Sequence, residues 1–169
     1  MLAGQPLRFD ELDARLVTEL SVRPRAGVLE LARRLGVARG TVQARIDKLV
    51  QRGVITGFGP DIDLSALGYS VLAFVTLEIA QGRGEDVVDH LRAVPEVLEC
   101  HATTGQGDLH CRVVARNNIH LYEIINRMVE VQGIDRSTTV IALSEQIGER
   151  VLPLVESIVS EREAETSAP

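Results

Sequence analysis

Six basic side chains lie between residues 33 and 52, in a stretch that holds a single acid, Asp47. Arginine and lysine neutralise phosphate groups, and arginine also forms paired hydrogen bonds with guanine in the major groove of DNA. Gln43, in the same stretch, can pair with adenine in a similar way. These residue types have the chemistry of a nucleic-acid surface, although a stripe of charge alone is more typical of an ordinary solvated helix face.

Charge is unevenly distributed along the chain. The net charge is −6, which taken alone argues against a nucleic-acid ligand. Residues 1–62, however, hold ten basic and seven acidic side chains, a net of +3, whereas residues 63–169 hold eight and seventeen, a net of −9. Any phosphate-facing surface is therefore expected in residues 1–62.

Three helices are predicted to position the basic stretch, because apolar residues recur there at helical spacing. The predicted ranges are Phe9–Leu20, Val28–Leu35 and a third helix from near Arg39 to about Arg52. Asp10 is suited to cap the first helix, and Gly36 to end the second. A short strand, Val54–Phe58, follows, so residues 1–62 are predicted to form a winged helix-turn-helix domain.

The third helix is the one that such a domain places in the major groove. The predicted DNA contacts are Arg34, Arg39, Thr41, Gln43, Arg45, Lys48 and Arg52. Arg34 and Arg52 suit phosphates, and the others suit bases or flanking phosphates. Thr41 has two interpretations, as a phosphate contact or as the N-cap of a shorter helix.

After a linker, residues 63–70, the pattern changes to the order β-α-β-β-α-β. The predicted elements are strand Val71–Ile79, helix Glu85–Val94, strands Val97–Thr104 and Leu109–Arg116, helix Ile119–Val131 capped by Asn118, and strand Ile134–Leu143. This order is that of a ferredoxin-like domain, here residues 71–148, whose sheet carries helices on one face only. The bare face needs a cover, either a partner subunit or a ligand.

An amphipathic helix, Glu149–Glu163, is predicted within the C-terminal segment, residues 149–169. The fold class is therefore α+β: an N-terminal winged helix-turn-helix, a ferredoxin-like domain for effector sensing and oligomerisation, and a C-terminal helix.

Cys100-His101 and His110-Cys111 bring four potential zinc ligands into one hairpin. Side chains alternate between the two faces of a strand, so each face receives only two of them, and no metal site is expected. Cys100 and Cys111 are predicted to face each other in the core. His101 and His110 are predicted to lie on the opposite face together with Arg112. There they would form either a pH-sensitive subunit contact or an ordinary hydrogen-bonded interface.

The turn Thr104–Asp108 is the candidate effector site, comprising Thr104, Gly105, Gln106, Gly107 and Asp108. Its glycines let backbone N–H groups approach a carboxylate, and Asp108 can accept a hydrogen bond from an ammonium group. Together they could hold both ends of an amino acid. The alternative is an ordinary tight turn between two strands.

Enzymatic chemistry is not expected, because no catalytic set or phosphate-binding loop is apparent, and no cofactor is expected either. No apolar run approaches the roughly 18–20 residues that cross a bilayer, so no membrane partner is expected. There is no signal-peptide pattern, and two cysteines are too few for a disulfide framework. A reducing cytoplasm is the expected location.

Four segments together resemble the Lrp/AsnC (leucine-responsive regulator) family of transcription factors. They are FDELDARLVTEL, LARRLGVARGTVQARIDKLVQRGVITGF, DIDLSALG and TTGQGDLHCRV, and the resemblance covers roughly Leu7–Gly148. It implies a sequence-specific, nucleoid-associated regulator of double-stranded DNA. It also implies a homodimer built through the second domains, often as four dimers in an octameric ring. An amino acid or a related small molecule is the implied effector.

The sequence departs from the family pattern in two places, the start of the recognition helix and the hairpin. Ala38 stands where such proteins usually carry Ser at the N-cap of the recognition helix, and Gly40 lies in the first turn, each at a cost of about 1 kcal/mol. The helix is therefore expected to begin a residue or two later. Gln106 stands where the hairpin often has an acid, which implies a different or weaker effector preference.

Two other functions fit parts of the sequence. One is a small-molecule-binding regulatory subunit of an enzyme, with a degenerate helix-turn-helix, and the basic stripe argues against it. The other is an enzyme of ferredoxin-like fold, which the missing catalytic set disfavours.

Overall fold

The computed structural model describes residues 9–166, apart from the side chains of residues 162–166. The chain divides into two compact units. The helix-turn-helix unit combines the residues up to Pro60 with those from Gly148 onward, and the sheet unit comprises Asp61–Ile147. Within the described range, no helix is long and apolar enough to cross a membrane.

Three helices begin the helix-turn-helix unit: α1 (Glu11–Val22), α2 (Val28–Leu35) and α3 (Arg39–Gln51). Asp10 caps α1 as predicted, since its carboxylate accepts from the Asp13 N–H at 2.9 Å while the Asp13 carboxylate accepts from the Asp10 N–H at 3.2 Å. Gly36 ends α2 with a φ of 70°, the left-handed conformation that favours glycine.

The recognition helix α3 begins at Arg39 although its N-cap, Ala38, has no side-chain hydrogen bond. The backbone closes the first turn instead, because the N–H groups of Thr41 and Val42 both donate to the Ala38 carbonyl, at 3.0 and 3.2 Å. The expectations of a later start, and of Thr41 as the cap of a shorter helix, are therefore wrong.

The predicted wing strand, Val54–Phe58, is absent from the described structure. The N–H groups of Val54 and Ile55 donate to the Leu49 carbonyl at 2.9 and 3.2 Å, which turns this segment back on the end of α3. Strand residues need a neighbouring strand for their backbone groups, and the sheet of the described residues does not include this segment. The wing is irregular for that reason.

The C-terminal helix α6 (Leu152–Thr166) completes the core of the helix-turn-helix unit. Pro153 lies in its first turn, where the missing N–H costs little. Val155 is buried in the apolar cluster that α1, α2 and α3 form, and Ile158 and Val159 pack against the same cluster.

Four antiparallel strands form the sheet unit in the order β2-β3-β1-β4. They are β1 (Val71–Ile79), β2 (Val97–Ala102), β3 (Leu109–Ala115) and β4 (Ile134–Ile141). This is the ferredoxin-like sheet predicted from the β-α-β-β-α-β order. The register places Cys100 opposite Cys111 and His101 opposite His110, as expected.

Helices α4 (Gly84–Arg92) and α5 (Asn118–Val129) pack on one face of this sheet. The cap of α5 is Asn117, not the predicted Asn118, and its side chain accepts from the His120 N–H at 2.9 Å. Alternate residues of β1 enter the core with apolar side chains of both helices. The buried set includes Ala73, Val75, Leu77, Val87, Leu91, Leu121, Ile124 and Met128.

The opposite face of the sheet carries Leu72 and Phe74 of β1 and Val140 of β4. Leu72 and Phe74 are half-buried, and Val140 is 61% exposed. This face is therefore apolar and incompletely covered in a single chain.

Candidate functional site

The outward surface of α3 carries most of the predicted DNA contacts. Arg39, Thr41, Gln43 and Arg52 are exposed, and Lys48 is half-buried. Among the described residues, Arg39, Lys48 and Arg52 have no ion-pair partner. Their positive charges are therefore available to a ligand.

The centre of the exposed surface consists of residues that charge does not reveal. Val42 and Leu49 are buried, and at about 100° per residue the opposite side of the helix falls on a different set. That set is Gly40, Ala44, Asp47 and Gln51, all exposed. Counting helical steps from the buried positions would have found them. The small side chains of Gly40 and Ala44 let another molecule approach the backbone of α3 closely.

Gln43 and Asp47 form a pair one turn apart on this surface. The Gln43 amide nitrogen donates to the Asp47 carboxylate at 2.8 Å. The bond fixes which end of the amide is the donor. One N–H and the carbonyl oxygen of Gln43 remain able to bind a ligand.

Arg45 points its charge at α1, although it was predicted as a DNA contact. Its guanidinium donates to the carboxylates of Asp10 and Asp13, the latter at 2.8 Å, and Asp13 is only 1% exposed. Burial acts to raise the pKa of Asp10, but the hydrogen bonds from Arg45 and the Asp13 backbone outweigh it and lower that pKa. Arg45 therefore joins α3 to α1, and this engagement argues against base reading by its side chain.

Arg34 is exposed at the end of α2 but is not isolated. Its guanidinium lies 3.7 Å from the Glu19 carboxylate and 3.4 Å from the Glu30 carboxylate. Such exposed pairs are weak, so a phosphate can compete for the guanidinium.

The sheet unit contains an open cavity of about 670 Å³ beside the β2–β3 hairpin. Four of the five predicted effector residues line it, namely Gly105, Gln106, Gly107 and Asp108, whereas Thr104 does not. The remaining lining comes from β1 and β4 and was not predicted: Thr76, Glu78, Ile79, Asp135, Arg136 and Thr138. The pairing of β1 with β3 and with β4 brings these residues to the hairpin, and local sequence patterns do not contain that pairing.

The hairpin is tied to β1 by two hydrogen bonds of Asp108. Its N–H donates to the Leu77 carbonyl at 2.8 Å, and its carboxylate accepts from the Ile79 N–H at 2.7 Å. Gly107 has a φ of 84°, and a Cβ at this position would lie 2.3 Å from Cγ2 of Thr76. Glycine is therefore required here by both backbone conformation and space.

The cavity presents groups of both signs. In the described part of the chain, the backbone N–H groups of Gly105, Gln106 and Gly107 have no acceptor. Arg136 lies 3.7 Å from Glu78 across the two strands, and Asp135 and Asp108 add further carboxylates. The N–H groups and Arg136 suit a carboxylate, and the acids suit an ammonium group.

A polar cluster lies on the helix-free face of the sheet. Arg112 donates to the Glu99 carboxylate at 2.6 Å, and His101 lies 3.4 Å from the same carboxylate. The His110 ring stacks on Phe74, with 5.6 Å between ring centroids, and its Nδ1 lies 3.2 Å from the Thr76 hydroxyl. The predicted face of these residues is confirmed. No group of three or more metal-ligating side chains occurs within residues 9–161, whose side chains the structure describes.

Comparison with protein families assigns both units. A model described as the AsnC-type helix-turn-helix domain matches residues 9–50, and one described as the Lrp/AsnC ligand binding domain matches residues 72–152. The HTH-type transcriptional regulator FL11 of Pyrococcus horikoshii is 31% identical over 86% of this chain and 97% of its own. The regulatory protein AsnC of Escherichia coli is 30% identical over the same shares.

Solved structures agree with these matches. Escherichia coli AsnC is 28% identical, with a TM-score of 0.79 over 84% of this chain and 97% of the other. A feast or famine regulatory protein of Mycobacterium tuberculosis, solved in complex with L-methionine, is also 28% identical, with a TM-score of 0.75 over 85% and 97%. The exposed α3 surface and the matches over both units identify a helix-turn-helix regulator of transcription that binds DNA, and the chain belongs to the Lrp/AsnC family.

Proposed function

We propose that the exposed surface of α3 reads the major groove, with Gln43 as the base-reading side chain. The observation that carries this proposal is the Gln43–Asp47 hydrogen bond, beside the small residues Gly40 and Ala44 at the outermost part of the helix. With one N–H held by Asp47, the amide keeps one donor and one acceptor. That pair matches N7 and N6 of adenine.

The basic residues on either side of this surface are proposed to hold the DNA backbone. Arg39, Lys48 and Arg52 are cations without ion-pair partners in the described structure, and the Thr41 hydroxyl is exposed beside them. Arg34 can join them by exchanging its acidic partners for a phosphate. Such contacts set affinity and salt dependence and carry no sequence information directly. The proposed action of the protein is binding and not catalysis. Its proposed location is the cytoplasm, on the nucleoid.

A second copy of the chain is proposed to cover the helix-free face of the sheet. Phe74 and Val140 give this face an apolar centre, and the cluster of Glu99, Arg112 and His101 gives it a polar border. A homodimer of this kind reads two half-sites about 34 Å apart on pseudo-palindromic DNA. Four such dimers would form the octamer that the family resemblance implies.

The cavity beside the hairpin is proposed to bind an α-amino acid. The three N–H groups of Gly105, Gln106 and Gly107 would hold its carboxylate, and Asp108 or Glu78 its ammonium group. The L-methionine complex of the mycobacterial relative makes methionine the first ligand to try. Binding would change operator affinity through a coupling of ~1–3 kcal/mol, which is about 5–150-fold.

DNA reading is tested by gel shift on the protein's own upstream region and on random duplexes, each at two salt concentrations. Gln43→Ala should lower the affinity for the upstream region about tenfold and leave the affinity for random duplexes unchanged. Arg39→Ala should lower both and reduce the salt slope by about one. Arg33→Ala, which replaces an exposed cation on α2, is the matched control. The absence of any salt-dependent shift would refute the DNA surface.

Effector binding is tested by calorimetry with L-methionine and a panel of other amino acids. Asp108→Asn keeps an oxygen that can accept from the Ile79 N–H but removes the charge, so it should weaken binding while the hairpin stays folded. Asp89→Asn, an exposed acid on α4 outside the cavity, should have no effect. Equal affinities for Asp108→Asn and the parent protein would exclude Asp108 as the ammonium partner.

A further inference from the structure

Cys100 and Cys111, the chain's two cysteines, lie directly opposite each other on β2 and β3. Both belong to the apolar core beneath the helices, where Cys111 is fully buried and Cys100 is half-buried. Both are free thiols in the structure. Their positions decide whether the two sulfurs can be joined without moving the strands.

The backbone pairing shows that Cys100 and Cys111 form a non-hydrogen-bonded pair. The Thr103 N–H donates to the Asp108 carbonyl and the Val114 N–H donates to the Glu96 carbonyl, so the even-numbered residues of β3 direct their backbone groups at β2. Cys111 therefore directs its backbone groups away from β2. In such pairs the Cα atoms lie about 4.5 Å apart, within the roughly 4.4–6.8 Å that disulfides span.

We propose that Cys100 and Cys111 are a redox-active dithiol that low-molecular-weight disulfides, such as glutathione disulfide, oxidise to a cross-strand disulfide. The register supplies the geometry, and the half-exposed Cys100 supplies access from solvent. In a reducing compartment such a bond would be transient, which is the usual character of cytosolic disulfides.

The reaction proceeds in two exchanges. The Cys100 thiolate attacks one sulfur of the small disulfide, forms a mixed disulfide and releases one thiolate of the oxidant. Cys111 then loses its proton and attacks Sγ of Cys100, which forms the cross-strand bond and releases the second thiolate. Two protein thiols are oxidised, one disulfide is reduced, and the two protons pass to the released thiolates through solvent.

Cys111 controls the rate of the second exchange. Burial, reinforced by the neighbouring Cys100, raises the pKa of the Cys111 thiol to about 12. In the mixed disulfide Cys100 no longer carries a thiol, but burial still raises the pKa of Cys111. Because the thiolate is the nucleophile, closure is slow at neutral pH and becomes faster as the pH rises. The buried thiol is thereby protected from direct attack by oxidants, and Cys100 reacts first.

The disulfide would close a ring that contains the whole β2–β3 turn, including Gly105, Gln106 and Gly107. Opening of this turn requires breaking the bonds from the Thr103 N–H to the Asp108 carbonyl and from the Asp108 N–H to the Leu77 carbonyl. A covalent link at Cys100 and Cys111 makes that opening rarer. Amide exchange at Thr103 and Asp108 should therefore slow in the oxidised protein.

The test is incubation of the full chain with glutathione redox mixtures at pH 8.5, followed by acid quench, intact mass and peptide mapping. The expected product lacks two hydrogens and contains a Cys100–Cys111 peptide pair. The equilibrium constant for forming this bond should be at least about tenfold larger in the native protein than in concentrated urea, because the sheet holds the sulfurs together. Equal constants would mean that the fold does not favour the bond and would overturn the proposal.

Single-cysteine variants separate the two steps. Cys111→Ser should accumulate the glutathione adduct at Cys100, and Cys100→Ser should keep Cys111 as a free thiol. If serine in the core prevents folding, Cys111→Ala replaces it. A parent protein that stays a dithiol, stops at the Cys100 adduct or links two chains through Cys100 would refute the pair. The readouts follow sulfur and amide chemistry only, so such a failure leaves the amino-acid site untouched.

Discussion

The helix-turn-helix unit and the sheet unit present their proposed binding groups in different ways. On α3 the groups are side chains such as Gln43 and Arg39, displayed on the surface of a regular helix. In the sheet unit they are largely backbone N–H groups of the hairpin, presented by a turn in which Gly105 and Gly107 adopt positive φ. Side-chain substitutions can therefore change specificity on the helix surface without changing the fold, whereas loss of either glycine would disturb the hairpin itself.

Two exceptions limit that contrast. Arg45 is a side chain of α3 that stabilises the fold by binding Asp13. Asp108 is a side chain of the hairpin with two roles: one carboxylate oxygen holds the fold by accepting from the Ile79 N–H, and the other has no partner among the described residues and is open to a ligand. Substitutions at matched positions can measure how far the contrast holds.

The largest effect is expected from Gly107→Ala. The new Cβ would clash with Thr76, and the alanine backbone would have to adopt a positive φ. The sheet unit should therefore lose about 3 kcal/mol of unfolding free energy. Urea unfolding followed by circular dichroism measures it. Gly105→Ala is the control, because its Cβ meets nothing within 4 Å and only the backbone strain, ~1–2 kcal/mol, remains. Equal losses for the two variants would show that the Thr76 contact is unimportant.

Arg45→Ala should cost the helix-turn-helix unit about 2 kcal/mol, since the buried carboxylate of Asp13 loses its cation. Arg39→Ala, one of the exposed cations on the same helix, should change stability by less than about 0.5 kcal/mol. Adding Asp13→Asn to Arg45→Ala should recover part of the loss. If Arg45→Ala lowers operator affinity with no change in the unfolding midpoint, Arg45 is a DNA contact after all.

A smaller, pH-dependent effect is expected at Glu96 of the sheet unit, which is 8% exposed. Burial acts to raise its pKa, but a backbone hydrogen bond, then Arg127 at 2.9 Å, and the His120 charge outweigh it and lower the pKa below the ordinary 4.5. A lowered carboxylate pKa stabilises the fold above the ordinary value, and this contribution disappears as the pH falls through the folded value.

Glu96→Gln should therefore destabilise the sheet unit by about 1 kcal/mol at pH 7 and much less once the pH is well below 4.5. Urea midpoints of variant and parent at pH 7 and at acid pH measure the difference. A gap between the two proteins that is independent of pH would mean that Glu96 contributes through packing and not through charge.

The smallest effect expected is a gain, from Ala38→Ser at the N-cap of α3. The Ala38 backbone is already extended, with φ −65° and ψ 146°, so a serine hydroxyl can accept from an N–H of the first turn. The helix-turn-helix unit should gain about 0.5–1 kcal/mol, measured as a shift in urea midpoint, with Ala38→Gly as the comparison. No gain would indicate that the bonds to the Ala38 carbonyl already satisfy this turn.

Sequence patterns predicted those parts of the fold that depend on local information. The period of apolar residues gave α2 and β1 their observed bounds, and Asp10 and Gly36 marked helix ends through residue types that act on their immediate neighbours. The prediction of the wing strand was wrong because a strand forms only when a neighbouring strand accepts its hydrogen bonds, and the Val54 N–H donates to the Leu49 carbonyl instead. The predicted N-cap of α5 was wrong by one residue because Asn117 and Asn118 are chemically equivalent candidates.

The sequence predicted those residues of each candidate site that lie on a single helix or hairpin, but not the partners that other elements bring to them. Gln43 and Arg39 lie on the helix that the spacing predicts, but the partner of Arg45 is more than thirty residues away, on α1. Likewise, the hairpin was predicted and the opposite wall of its cavity was not, since Arg136 reaches it through the pairing of β4 with β1.

The packing of α6 on α1 has a consequence for protein synthesis. Val155 joins an apolar cluster whose other buried members, from Phe9 to Leu49, leave the ribosome long before it. The helix-turn-helix unit therefore contains a contact of very high sequence separation, which forms slowly and late. The nascent chain has time to fold the sheet unit while the N-terminal helices still lack one wall of their core. Completion of the core of the helix-turn-helix unit is thus delayed until α6 has been made.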